Sequence, residues 1–167
     1  MTVKSFEIPG HATRREYAVY VMVARHRRRK RAYRLYVGKT GDNREGCNPV
    51  ISRAGNHFSY NKIHSQMRNH LKPEDPPDFD FHYFYTCFGA YIDPKESREG
   101  IELINEMERQ LNKLVQERLD NLMNPYKGAY HVFRKEREKR QALATPARMR
   151  KLQKLVDAVE THLDGGS

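Results

Sequence analysis

The chain has 167 residues, 31% of them charged and 38% hydrophobic, with a formal net charge of +10; this length suits one domain, or one domain with a helical extension. No stretch approaches the apolar length of a membrane span, and the N-terminal MTVKSFEIPG lacks the charged and apolar regions of a signal peptide. The two cysteines, Cys47 and Cys87, form no CxxC pair, so a cytoplasmic protein is expected, without a disulfide framework or a structural zinc site.

In chain order, residues 17–24 (YAVYVMVA) and 33–38 (YRLYVG) are rich in β-branched and aromatic side chains and predict two strands. The RHRRRKR between them is too charged to be buried and predicts the loop of an antiparallel hairpin. Pairing Tyr20 opposite Tyr36 centres the turn on Arg28 and sets both rings on one face, because strand side chains alternate. Residues 38–49 have the Gly, Asp, Asn and Pro content of a loop. A helical pattern follows, with Ile51, Ala54, Phe58, Ile63, Met67 and Leu71 as its expected buried positions, until prolines 73, 76 and 77 end it. Residues 79–88 (FDFHYFYTCF) predict a third strand.

A long helix is expected from about Ser97, or the preceding Asp93-Pro94, to about Met123, stopped by Asn124-Pro125. Ile101, Ile104, Leu111, Val115, Leu119 and Leu122 share one side of it; Glu108 falls inside that arc, and Glu102, Glu106 and Glu117 fall outside. Residues 134–163 predict one or two charged helices broken near Thr145-Pro146. Their stripe of Leu152, Leu155, Val156, Val159 and Leu163 fits either the body of the domain or a second subunit.

The basic residues cluster at Arg25 with Arg27, Arg28, Arg29, Lys30 and Arg31, then over 134–140 and 148–154. A polyanionic partner is the natural reading. Glu136 and Glu138 interleave with the second cluster, which equally suits a solvated surface, whereas the first has no compensating acid within it.

Cutting a phosphodiester requires a base for water, a cation for the phosphate, and a metal or acid at the leaving oxygen. Glu108, on the apolar side of its helix, must be paired, protonated or bound to a metal; an ion pair with an arginine is the competing explanation. Arg53 and His57, at i and i+4 of a helix, can engage one phosphate together, although such residues alone are more often solvent-exposed. Strand tyrosines usually fill space. Lys39, just past the second strand, is placed to favour phenolate on a nearby tyrosine.

These residues resemble the GIY-YIG nuclease family. Ala18-Val19-Tyr20 stands where that family has its first tripeptide, and Tyr36-Val37-Gly38, continuing as Lys39-Thr40, where it has the second. Arg53 followed by His57 resembles the Arg-x3-His signature of members that act as restriction endonucleases, and Glu108 matches the helix glutamate that binds the metal. Ala18, Val19 and Val37 depart from the family pattern but keep strand character. The supporting asparagine is Asn121 or Asn124, with Asn124 preferred.

The resemblance covers roughly residues 17–125. It implies an α/β (α+β) fold, a small, mainly antiparallel three-stranded sheet flanked by helices over residues 1–128, followed by a C-terminal helical extension over 129–167. It also implies a DNA endonuclease. Tyr20 would be the general base, helped by Lys39 or a neighbouring ring; Tyr36 and Arg53 would hold the phosphate, and His57 would assist at nucleophile or phosphate. Glu108 would hold a single magnesium ion. A compact type II restriction enzyme acting on double-stranded DNA fits the chain length, with specificity carried by the hairpin tip at residues 25–31, the loop over 41–52 and the C-terminal helices; palindromic duplexes would suit a homodimer. Competing readings are a nonspecific or structure-specific nuclease of the same family, a non-catalytic nucleic-acid-binding module, and a basic RNA-associated protein.

Overall fold

A computed structural model describes residues 3–29, 31–41, 49–61, 63, 65–127 and 133–165. Three strands, β1 (Glu16–His26), β2 (Tyr33–Thr40) and β3 (Phe79–Ala90), form one antiparallel sheet in the order β2-β1-β3. Five α-helices accompany it among the described residues: α1 (Val50–Phe58), α2 (Gln66–Leu71), α3 (Glu99–Arg118), α4 (Arg134–Leu143) and α5 (Pro146–Asp164). The mixed α/β class and the three strands agree with the sequence reading. No described helix is long and apolar enough to cross a membrane.

Strand β1 is central and buried on both faces, so its eight-residue apolar run has a place for every side chain. Its odd-numbered residues Tyr17, Val19, Val21 and Val23 join Leu35 and Val37 of β2 in a core with Ile104, Met107, Leu111 and Val115 of α3 and Leu152, Val156 and Val159 of α5. Its even-numbered residues Tyr20, Met22 and Ala24 face a second cluster with Tyr36, Met67, Leu71 and Phe79. The stripe of α5 therefore packs on the body of the protein. Thr145 starts that helix, its Oγ1 accepting from the Arg148 N–H at 3.4 Å with Pro146 in the first turn.

Three expectations need correction. In the hairpin, Tyr20 lies opposite Gly38, and Tyr36 opposite Met22, two residues from the expected pairing and with the tip at Arg29. A two-residue shift preserves parity, so both rings still share a face. The observed register requires a glycine opposite Tyr20: the Tyr20 ring lies across Gly38, where a Cβ would come within 2.3 Å of its hydroxyl oxygen.

The expected helix through residues 51–71 is two helices. Asn61 breaks it: its Oδ1 accepts from the Ile63 N–H at 2.9 Å and its carbonyl accepts from the Ser65 hydroxyl, leaving Ile63 74% exposed. Ile51, Ala54 and Phe58 are only partly buried. The buried positions of α1 are Val50, Arg53 and His57.

Helix α3 ends at Arg118 rather than near Met123. Asn121 takes a positive φ of 62°, and the chain turns to run beside β2: the Asn121 carbonyl accepts from Leu35 N–H at 2.9 Å, and Met123 N–H donates to the Leu35 carbonyl at 2.8 Å. These bonds cover the outer edge of β2, and Leu119 and Leu122 pack on the first core from outside the helix.

Candidate active site

The even-numbered face of the sheet carries the polar residues. The Tyr20 hydroxyl and His57 Nε2 are 2.6 Å apart, and Arg53 Nε donates to the same hydroxyl at 3.3 Å. Tyr20 and His57 are fully buried and Arg53 nearly so. The register of β1 delivers Tyr20, and α1, with Arg53 and His57 one turn apart, delivers its two partners. Tyr36 stands edge-on to His57, ring centroids 4.8 Å apart. Sequence reasoning favoured exposure for a lone Arg/His pair; burial follows because each finds a partner on the strand.

Burial raises the Tyr20 pKa well above the usual phenol value. The Arg53 guanidinium opposes that rise, while Tyr36 and Glu108 add to it. Burial also lowers the His57 pKa from 6.5 to about 3, with Arg53 and His70 adding to the effect. Both groups are therefore neutral near pH 7. With Arg53 donating to the phenolic oxygen, the tautomer that protonates Nδ1 lets the phenol proton point at His57 Nε2; Nδ1 is buried with no hydrogen-bond partner among the described residues.

Glu108 corrects another expectation. It lies at the margin of the buried face of α3, its side chain 29% exposed, and pairs with Lys39 Nζ at 2.5 Å. The buried acid of that helix is Glu106, held by Arg109 and by Gln110 Nε2 at 2.7 Å. The helical phase explains the difference, because the fully buried Ile104, Met107 and Leu111 centre the inward face one position away from Glu108. Glu108 is nevertheless the acid whose charge reaches Tyr20. Lys39 serves Glu108 rather than standing beside a tyrosine.

A magnesium ion can be tested against this donor set. No group of three His, Cys, Asp or Glu side chains is assembled among the described residues. One carboxylate facing a cation is what Glu108 offers, and magnesium completes such a shell with water and phosphate oxygens, whereas structural zinc takes four protein ligands. Glu108 fits the first and not the second.

Asn124 clamps the strand that carries Tyr36. Its Oδ1 accepts from the Val37 N–H at 3.0 Å and its Nδ2 donates to the Val37 carbonyl at 2.7 Å. Asn112 Nδ2 in turn donates to the Asn124 carbonyl at 2.9 Å. Asn121 makes, among the described residues, only the backbone bond to Leu35 noted above.

At the hairpin tip, Arg27, Arg28, Arg29 and Arg31 are exposed, and Lys30 lies outside the described residues. The fold supplies acids absent from the local sequence: Glu74 pairs with Arg29 and Arg34, and Asp80 lies 3.7 Å from Arg27. The side chains of Arg28 and Arg31 meet no acid among the described residues. In α4, Arg134, Lys139 and Arg140 are paired with Glu138, Glu102 and Glu136. The expected specificity loop falls largely at 42–48, outside the described residues.

Sequence reasoning gave no role of their own to four contributors. Tyr83 packs on Tyr20 at 5.2 Å between ring centroids, its hydroxyl buried without a partner among the described residues and its pKa raised by burial. His70 lies 5.6 Å from Tyr36, Gly38 makes room for the Tyr20 ring, and Asn112 holds Asn124. Alternation along β3 could have found Tyr83 once the face was known; nothing in the sequence singles out His70. Comparison with family models, curated proteins and solved structures finds no match to this chain.

Proposed function

We propose that the protein is a metal-dependent endonuclease that hydrolyses DNA phosphodiester bonds in the manner of the GIY-YIG nucleases. The observation that carries this reading is the buried line Arg53–Tyr20–His57, in which a fixed cation, a phenol and a neutral imidazole share hydrogen bonds. A buried phenol that only filled space would need one hydrogen-bond partner, not a fixed cation and an imidazole together. The succession of a hairpin bearing both tyrosines, an Arg/His helix, a third strand and a helix bearing Glu108 agrees with what the family resemblance implies.

In this reading the attacking water gives a proton to the Tyr20 oxygen as the phenol proton passes to His57 Nε2, and the hydroxide bonds to phosphorus as the P–O bond to one sugar breaks, the leaving oxygen taking a proton from solvent. His57 is neutral near pH 7 and so offers a ring nitrogen to receive the phenol proton; the same burial makes it a weak base, which the negative charge of a bound phosphate would offset. Arg53 and Tyr36 orient the phosphate and offset its charge. Glu108 would hold a magnesium ion in place of its pairing with Lys39, and the ion when bound would supply Lewis-acid stabilisation of the leaving oxygen. Double-stranded DNA is the substrate, gripped in part by Arg28 and Arg31, and a site-specific restriction activity is the specific form we favour for a chain of this size.

The test is incubation of the full chain with mixed-sequence duplex DNA and magnesium, beside Tyr20→Phe and Glu108→Gln. Discrete fragments from the wild type, lost in both variants while binding persists, are expected. A smear assigns a nonspecific nuclease. Absence of cleavage with any divalent ion, with binding intact, overturns the enzyme reading in favour of a binding module.

A further inference from the structure

The two edges of the sheet are treated differently. The edge of β2 is covered by the segment around Asn121 and by the Asn124 side chain, whereas β3 has an open stretch. Arg27 N–H donates to the Asp78 carbonyl at 2.9 Å, which fixes the alternation of the β1–β3 ladder. Asp80, His82 and Phe84 then bond to β1, and the N–H and C=O groups of Phe79, Phe81, Tyr83, Tyr85 and Cys87 point outward.

At one end the Phe79 N–H is taken by the Pro76 carbonyl; at the other, the Cys87 carbonyl accepts from Lys151 Nζ at 3.0 Å. No hydrogen bond among the described residues reaches the outward groups of Phe81, Tyr83 or Tyr85. Nor does this stretch carry a Lys, a Pro or a bulge, the devices that protect a lone edge.

We propose that this edge pairs with the same edge of a second copy of the chain, antiparallel about a two-fold axis through Tyr83, giving one continuous six-stranded sheet. The open residues are symmetric about Tyr83, as a self-complementary interface requires. With Tyr83 opposite itself, Phe81 meets Tyr85 of the second copy, and each copy supplies donors for the other's acceptors.

Charge agrees with this register. Asp80, 81% exposed, comes opposite Thr86 of the second copy, beside the Cys87 carbonyl and Phe88 ring where Lys151 sits. Asp80 projects to the α5 face of the sheet, the side from which Lys151 reaches over, and the axis generates the contact twice.

The axis stands perpendicular to the sheet, so both Tyr20 faces point the same way. Strand spacing and rise per residue put the two Tyr20 residues about 20 Å apart. The inference does not rest on the nuclease reading: association is measured without cleavage, and either can fail alone.

Light scattering on the size-fractionated full chain at micromolar concentration is expected to give twice the chain mass. Asp80→Lys should weaken the dimer at least tenfold, and adding Lys151→Glu should restore it. Tyr85→Pro removes an outward N–H without touching the β1 ladder and should also give a monomer, with circular dichroism showing the fold retained. A monomeric wild type overturns the proposal, as does a dimer that survives both Asp80→Lys and Tyr85→Pro. So does a dimer lost instead in Phe6→Ser/Ile8→Ser, which would assign the contact to the exposed N-terminal arm.

Discussion

The two faces of β1 do different work with the same alternating backbone. The odd-numbered face buries Val19, Val21 and Val23 against α3 and α5, with apolar partners on every side. On the even-numbered face, Tyr20 meets Arg53 and His57, and two buried hydroxyls, of Tyr83 and Tyr85, have no partner among the described residues. Burial of polar groups costs stability unless their hydrogen bonds are made, so the second face retains groups that an apolar core would not need. One face holds the fold, and the other gives up some of that stability to keep polar groups together.

Substitutions can separate the two. Tyr20→Phe should lower cleavage by about 100- to 10,000-fold, the range for losing a proton-transfer group, and cost about 1–3 kcal/mol of stability because Arg53 and His57 lose the hydroxyl they share. Equal loss of activity and stability would put Tyr20 in the packing alone. Leu111→Ala, on the other face, should cost about 2–5 kcal/mol in denaturant unfolding and leave the activity of each folded molecule unchanged. Gly38→Ala lies between them: its Cβ displaces the Tyr20 ring, so about 1–3 kcal/mol should be lost together with cleavage.

Legibility in the sequence follows the same division. The strands were readable because β-branched and aromatic runs leave few alternatives, and the stripe of α5 because its period is helical. Tyr20, Tyr36, Arg53 and His57 were identified, and the structure brings them together. Their exact relations were not readable, because parity fixes a face but leaves shifts of two residues open; the observed register needs a glycine at position 38, under the Tyr20 ring. The burial of Glu108 was misjudged for a related reason. A wheel that counted Leu119 and Leu122 as helical tilted the inward arc toward it, while the chain leaves the helix at Arg118. The acids facing the basic hairpin come from Glu74 and Asp80, contacts that only the folded chain reveals.

The buried imidazole offers a pH test of the polar face. The folded pKa of His57, about 3, lies below its unfolded value of 6.5, so between these values the unfolded chain binds more protons and stability falls as pH drops. The contribution is complete above about 6.5 and is lost as pH descends toward 3. His57→Gln should flatten that part of the stability–pH curve, measured by urea unfolding; an unchanged slope would mean that His57 is protonated in the folded state.

The smallest effect belongs to the hairpin tip, outside both faces. Arg27 and Arg29 meet acids, while Arg28 meets none among the described residues, so its charge is the more available for phosphate. Exposed pairs such as Arg27–Asp80 contribute little to stability, and removing an unpaired surface arginine should leave the melt unchanged. If Arg28 releases one counterion on binding duplex DNA, Arg28→Ala should reduce the slope of log affinity against log salt by about 1. Arg29→Ala should change it less, because Glu74 already holds that guanidinium. Equal slopes for wild type and Arg28→Ala would remove Arg28 from the binding surface, leaving Arg31 as the tip arginine that no acid among the described residues neutralises.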